Sequence, residues 1–157
     1  MRTEDKQYFT ALSDWQLMGL CIEREAGGEP REGKIAVGTV ILERVEHRNW
    51  DGKTVHEVIL KPWQFSWTMP EINKPYYNEA VSMARNWREF SADKTLSDCC
   101  DIAKGLLDGS ISVDEDLRKV NCVQYLNPKV AAATKDKWIK SGMTVIKTIG
   151  RHQFFKE

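Results

Sequence analysis

The sequence predicts an α+β fold, a mostly helical domain with a small β-sheet. Apolar residues recur at helical spacing through most of the first 110 positions, and short strand-like runs follow near the C-terminus. Helices come first and strands later, without the regular alternation of a parallel α/β chain. At 157 residues, 41% hydrophobic and 29% charged, the chain has the size and composition of one globular domain spanning 1–157.

Residues 13–26 read as the first long helix. Ser13 and Gln16 can form a capping box, and Trp15, Met18, Ile22 and Ala26 share one face. Gly27 suits a left-handed cap at its end. Pro30 suits the first turn of a second helix reaching about position 47, with Ile35, Gly38, Ile41, Leu42 and Val45 as its apolar stripe. A turn is expected at 49–52, where Asp51-Gly52 is the signal. Thr54 can cap a short helix through Leu60, which Pro62 ends.

Residues 63–67 alternate large aromatics with polar residues and are expected to be extended. Two more helices should span about 75–88 and 96–107, the second closed by Asp108-Gly109. An acidic loop at 114–116 should lead to a strand over 120–125 that stops at Asn127-Pro128. Two short strands about Gly150 should close the chain.

The chemistry is expected in the stretch Glu23-Arg24-Glu25-Ala26-Gly27-Gly28-Glu29-Pro30, where three carboxylates fall within seven residues around the only Gly-Gly pair. Glu25 would lie in the last turn of its helix. There the negative end of the helix dipole and partial burial both disfavour ionisation, as a general acid requires. Glu29 is four positions on, across the Gly-Gly break, and its negative charge suits the start of the second helix.

Four separated stretches resemble the SleB-type family, the spore-cortex-lytic cell-wall hydrolases. They are Glu25 to Pro30 followed by Gly33-Lys34-Ile35-Ala36-Val37-Gly38 and Ile41-Leu42-Glu43-Arg44-Val45; Gln64-Phe65-Ser66-Trp67; Tyr125-Leu126-Asn127-Pro128; and Ile149-Gly150-Arg151-His152-Gln153-Phe154-Phe155. The resemblance implies a lysozyme-like domain, related to lytic transglycosylases, that cleaves the MurNAc-GlcNAc glycosidic bond of peptidoglycan. It implies Glu25 as the catalytic acid. Glu43 departs from the asparagine usual in the family at that position.

Substrate-binding roles are expected for Glu29, Gln64, Ser66, Trp67, Tyr125 and Asn127, with Trp67 offering an aromatic face to a sugar ring. Phe65 is expected in the core, and His152 as a structural hydrogen-bonding residue. Most glycosidases need two carboxylates, about 5 Å apart for retention or 6.5–9.5 Å for inversion. A lytic transglycosylase needs one, because the C6 hydroxyl of the substrate's own muramic acid attacks C1. One placed glutamate therefore favours 1,6-anhydromuramic products. The alternatives are a hydrolytic muramidase, an N-acetylmuramoyl-L-alanine amidase and a non-catalytic wall-binding module.

No cofactor and no metal are expected. Cys21, Cys99, Cys100 and Cys122 form no C-x-x-C pair, and His47, His56 and His152 are widely spaced, which argues against a zinc amidase. The N-terminus lacks the apolar core of a secretory signal, and no apolar run approaches a bilayer span. With the resemblance, this suggests a bacteriophage endolysin, a monomer held in the host cytoplasm, with free thiols, until released to the wall for lysis. Formal charge is zero overall, but positions 118–157 carry nine Lys/Arg against two Asp/Glu. That basic quarter suits the wall or an anionic membrane surface, through Lys135, Lys137 and Lys140 among others. No base-reading motif accompanies it, so nucleic acid is not an expected partner.

Overall fold

A computed structural model describes residues 1–47, 52–130 and 143–156. The expected turn at 49–52 lies outside these except for Gly52, and so do Lys135, Lys137 and Lys140.

The fold is organised around α2 (Asp14–Ala26). Ser13 caps it, its N–H donating to Gln16 Oε1 at 2.8 Å. Leu17, Met18, Leu20, Cys21 and Ile22 are all fully buried, so α2 is covered on nearly every side rather than along one stripe. Two neighbours make this possible: α3 (Arg31–His47) and α7 (Lys94–Asp108). Gly19 lies against α7 so closely that a Cβ there would stand 2.5 Å from Cys100 Sγ and 2.8 Å from Cys100 Cα. At Gly38 of α3, Leu106, Ile22 and Met18 fill the space a side chain would take. Each mid-helix glycine costs about 1 kcal/mol of helix propensity, and close helix packing offsets it.

Around this centre lie α1 (Lys6–Thr10), α4 (Val55–Leu60), α5 (Lys74–Arg85), α6 (Trp87–Phe90) and α8 (Glu115–Lys119). Thr54 caps α4 by accepting from the Glu57 N–H at 3.1 Å. The helix expected over 75–88 is broken at Asn86, whose backbone (φ −111, ψ 42) leaves the helical region. The Asn86 side chain donates to Ser82 O at 3.1 Å, so a local side-chain bond replaces continuation of the helix.

Three antiparallel strands, β1 (Gln124–Leu126), β2 (Thr144–Ile149) and β3 (His152–Lys156), form a sheet in the order β1-β3-β2. Tyr125 pairs with Phe154, and Ile149 with His152 across the expected turn at Gly150. β1 starts later than the expected 120–125. Asn121 has φ +51 and the Cys122 N–H bonds back to Leu117 O at 2.9 Å, so 120–123 closes the end of α8 instead. Lys147 on β2 pairs with Asp114 and Asp116, at 2.9 and 3.0 Å, tying the acidic loop to the sheet. No helix among the described residues is long and apolar enough to cross a membrane.

Two local expectations fail. Gly27 is right-handed (φ −56, ψ −35), and Gly28 is not among the positive-φ glycines. Close approach limits side chains there instead: a Cβ on Gly27 would meet Glu23 O at 2.6 Å, and one on Gly28 would meet Arg151 Nη2 at 2.9 Å. The expected extended run over 63–67 is a turn followed by a 3-10 helix, Ser66–Thr68. Trp63 is left-handed, with φ +69. Only Phe65 between them is extended.

Candidate active site

The last turn of α2 is held in place from outside. Tyr76 of α5 donates its hydroxyl to Arg24 O. The Arg24 guanidinium lies 4.3 Å from the Tyr76 ring centre and pairs with Glu23 and Glu79. Arg24 and Glu23 are thereby engaged on the α5 side of the helix. Glu25 is partly buried and borders a cavity of about 720 Å³.

The cavity takes its walls from four places in the chain. Glu25 comes from α2 and Arg44 from α3; Trp63, Gln64, Ser66, Met69 and Ile72 come from the loop before α5. The sheet side supplies Tyr125, Asn127 and His152. Among the described residues, Glu25 is the sole carboxylate in this lining.

The sheet reaches Glu25 through Glu29. Glu29 Oε1 accepts from Arg151 Nε at 2.7 Å, and its Oε2 from the Arg151 N–H at 3.2 Å. Gly150 (φ +55) lies so close beneath that a Cβ would stand 1.9 Å from Glu29 Oε2. Only glycine satisfies both the turn and this approach. Burial pushes the Glu29 carboxyl up, but the two Arg151 hydrogen bonds and the guanidinium charge outweigh it and leave it below its ordinary value. Glu29 thus clamps the β2–β3 turn onto the Gly-Gly break. It is absent from the cavity lining, contrary to the expected substrate contact.

The clamp brings Tyr125 to the catalytic candidate. Tyr125 donates its hydroxyl to Glu25 Oε2 at 2.8 Å. His152 braces the Tyr125 ring edge-on, with centroids 5.2 Å apart. Burial lowers the His152 pKa against the pull of Glu29, which favours the neutral imidazole. Burial is also the largest influence on Glu25 and raises its pKa; the Tyr125 hydrogen bond and the Arg44 charge oppose it without cancelling it. Burial and the neighbouring Glu25 hold the Tyr125 hydroxyl well above its ordinary value, so it remains a donor.

Arg44 lies under the site, 5% exposed, donating Nε to Val123 O at 2.9 Å and lying 5.0 Å from the centre of the Phe65 ring. It places a fixed positive charge near Glu25, which helps the carboxylate after it has given up a proton.

The expected binding residues divide. Gln64, Ser66, Tyr125 and Asn127 all line the cavity. Asn127 also accepts from the Lys129 N–H at 3.0 Å, so its carbonyl shapes the turn while its amide group can face a ligand. Trp67 is fully buried with its ring 5.8 Å from Phe9, so it is core and offers no sugar-binding face. Trp63, Ile72, Arg44 and His152 line the cavity without having been expected to bind substrate. For Trp63 the only hint in the sequence is an aromatic residue directly after Pro62.

Glu43 is 2% exposed, with Oε2 3.2 Å from His47 Nε2, and lies outside the cavity lining. Among the described residues one set, Glu43, Glu46 and His47, brings three possible ligand atoms within 4.8 Å of one another. None of the three lines the cavity.

The raised Glu25 pKa has a consequence for pH. A glutamic acid that must be protonated at the start of a turnover loses activity as pH rises through its pKa. With Glu25 as that acid, burial would move the alkaline limb of kcat/KM upward from where an ordinary glutamate would put it. Tyr125→Phe removes a hydrogen bond that favours the carboxylate, so the limb should move to still higher pH as the maximal rate falls. A kcat/KM profile in which Tyr125→Phe shifts the limb downward would contradict this geometry.

Residues 28–155 match the family described as Cell Wall Hydrolase. Among solved structures, the catalytic domain of the Bacillus cereus SleB protein is 28% identical at a TM-score of 0.59. That match covers 91% of this chain and 89% of the other. The catalytic domain of the germination-specific lytic transglycosylase SleB from Bacillus anthracis is 28% identical at a TM-score of 0.61, covering 93% of this chain and 98% of that one. No curated protein matches the chain. The architecture accords with these catalytic domains, a lysozyme-like and mostly helical domain with a small antiparallel sheet.

Proposed function

Since the chain belongs to the cell wall hydrolase family, we propose that it degrades peptidoglycan by cutting the MurNAc-GlcNAc glycosidic bond as a lytic transglycosylase, with Glu25 as the single acid and base. The observation that carries this reading is the state of Glu25: one partly buried carboxyl on the cavity wall, its pKa raised by burial and one oxygen fixed by Tyr125.

Glu25 donates its proton to the glycosidic oxygen as the C1–O bond breaks, and positive charge develops on the sugar ring. The Glu25 carboxylate, supported by the Tyr125 hydroxyl and the Arg44 charge, faces that charge. The C6 hydroxyl of the same muramic residue then attacks C1 and returns its proton to Glu25. The bond lost to the leaving sugar is replaced by one to O6, and no water is consumed.

Two observations favour this course over hydrolysis. Glu29 is committed to Arg151 and Glu43 is buried away from the cavity, so neither is set to activate a water. Gln64 and Ser66 from the loop and Asn127 from the sheet side are then glycan-binding groups, offering amide and hydroxyl hydrogen bonds to the strand.

Mass spectrometry of fragments released from purified peptidoglycan tests the bond that is cut. Muropeptides with their peptide stems still joined to muramic acid are expected. Free stems with bare glycan strands would mean an amidase, and no soluble fragments would mean a binding module.

A further inference from the structure

Trp63 combines three features that packing does not explain. It is 72% exposed, its backbone is left-handed at φ +69, and it borders the same cavity as Glu25. A bulky residue in that region is an outlier, because its Cβ crowds the preceding backbone. Strain of this kind persists where a side chain serves a site. Trp63 gains little from the fold in return. Among the described residues it makes no ring stacking, cation–π contact or side-chain hydrogen bond, and most of its surface is open.

The neighbours define what the open indole meets. Gln64 follows directly and supplies an amide to the same cavity, and Ser66 adds a hydroxyl. Ile72, 53% exposed, gives apolar surface on the same loop. A broad aromatic face beside amide and hydroxyl groups suits a pyranose ring, whose C–H face packs on the indole while its rim hydroxyls and N-acetyl group take hydrogen bonds.

On this basis, and resting on the glycan-cleaving reading above, we propose that Trp63 is a sugar-stacking platform at the cavity rim, seating one N-acetylhexosamine ring of the glycan strand away from the cut bond. The aromatic role expected of Trp67 thereby falls to a residue four positions earlier. The turn after Pro62 projects that residue outward, while Trp67 enters the core.

The test uses Trp63→Gly, Trp63→Asn and Trp63→Tyr in the full chain. Glycine and asparagine tolerate positive φ but lack the aromatic face, whereas tyrosine keeps it. Substrates are soluble glycan strands with and without peptide stems. Trp63→Gly and Trp63→Asn should raise KM about tenfold on both substrates with kcat changed less than about twofold, because a remote ring contact is made equally in ground and transition states. Trp63→Tyr should restore most of the affinity. Tm should not fall in Trp63→Gly, since backbone strain is relieved there.

Unchanged KM in the glycine and asparagine variants, with active wild type, would overturn the platform alone. An effect confined to stem-bearing strands would also overturn it, assigning Trp63 to the peptide. A fall in Tm that accounts for the lost activity would make Trp63 structural and overturn it too. Wild type inactive on both substrates would overturn the glycan-cleaving reading and the platform together.

Discussion

Replacing Glu25 with glutamine is expected to lower fragment release from peptidoglycan by about 10²–10⁴-fold while the fold survives. Glutamine keeps the size of the side chain, and its carbonyl can still accept the Tyr125 hydroxyl that bonds Glu25 Oε2 at 2.8 Å. What it lacks is a proton to give. Burial of the ionised form is also avoided, so Tm should not fall. Glu29→Gln is the matched control. It keeps a carbonyl for one Arg151 contact but removes the charge that anchors the β2–β3 turn. Its activity loss should be much smaller and accompanied by a lower Tm. Initial rates with thermal melts of both variants check the pair. A fully active Glu25→Gln enzyme would remove the proton donor from this mechanism.

The second large effect is on stability. Gly19→Val should destabilise the chain by about 1–3 kcal/mol or more, the usual range for overpacking a filled core. At this size that corresponds to a fall in Tm of about 2–12 °C. A Cβ on Gly19 meets Cys100 Cα at 2.8 Å, so part of the clash is with backbone and no rotamer change relieves it. Separation of α2 from α7 is the available response, and α2 also carries Glu25 in its last turn. Thermal or urea denaturation reads the change. An unaltered melting curve would mean that these helices are not packed in this close contact.

Much of this arrangement was legible in the chain. The capping box at Ser13, the helix it starts and the position of Glu25 in the last turn follow from local chemistry and spacing. The hairpin about Gly150 was likewise a local signal. The failures differ in cause. Gly27 suggested a left-handed cap, but it stays right-handed and is restricted by Glu23 O one helical turn back, while Gly28 is restricted by Arg151 Nη2, far along the chain. Glu29 gave no sign that its partner would be Arg151, 122 positions later. Aromatic alternation over 63–67 matched a strand pattern, yet a turn at Trp63 and a short 3-10 helix put one tryptophan outside and the other inside. No periodicity distinguishes those two tryptophans, because their fates depend on the core around Phe9 and on the cavity.

Most of the candidate site was assembled from pieces that each looked ordinary. Tyr125 and Asn127 came from a strand end, Gln64 and Ser66 from a loop, and Arg44 from the last turn of α3. The sheet order β1-β3-β2 brings Tyr125 toward α2 through β3 and the Glu29 clamp. That order is a tertiary fact with no local signature.

The central claim is that one carboxyl performs both proton transfers and that the sugar's own hydroxyl replaces water. The most direct test is the chemistry of the new chain ends, read by mass spectrometry on peptidoglycan digested to completion by the wild-type protein. The account predicts 1,6-anhydromuramic ends, lighter by one water than ordinary muramic ends. Reducing muramic ends, with oxygen from solvent in labelled water, would contradict it and require a second group to activate that water.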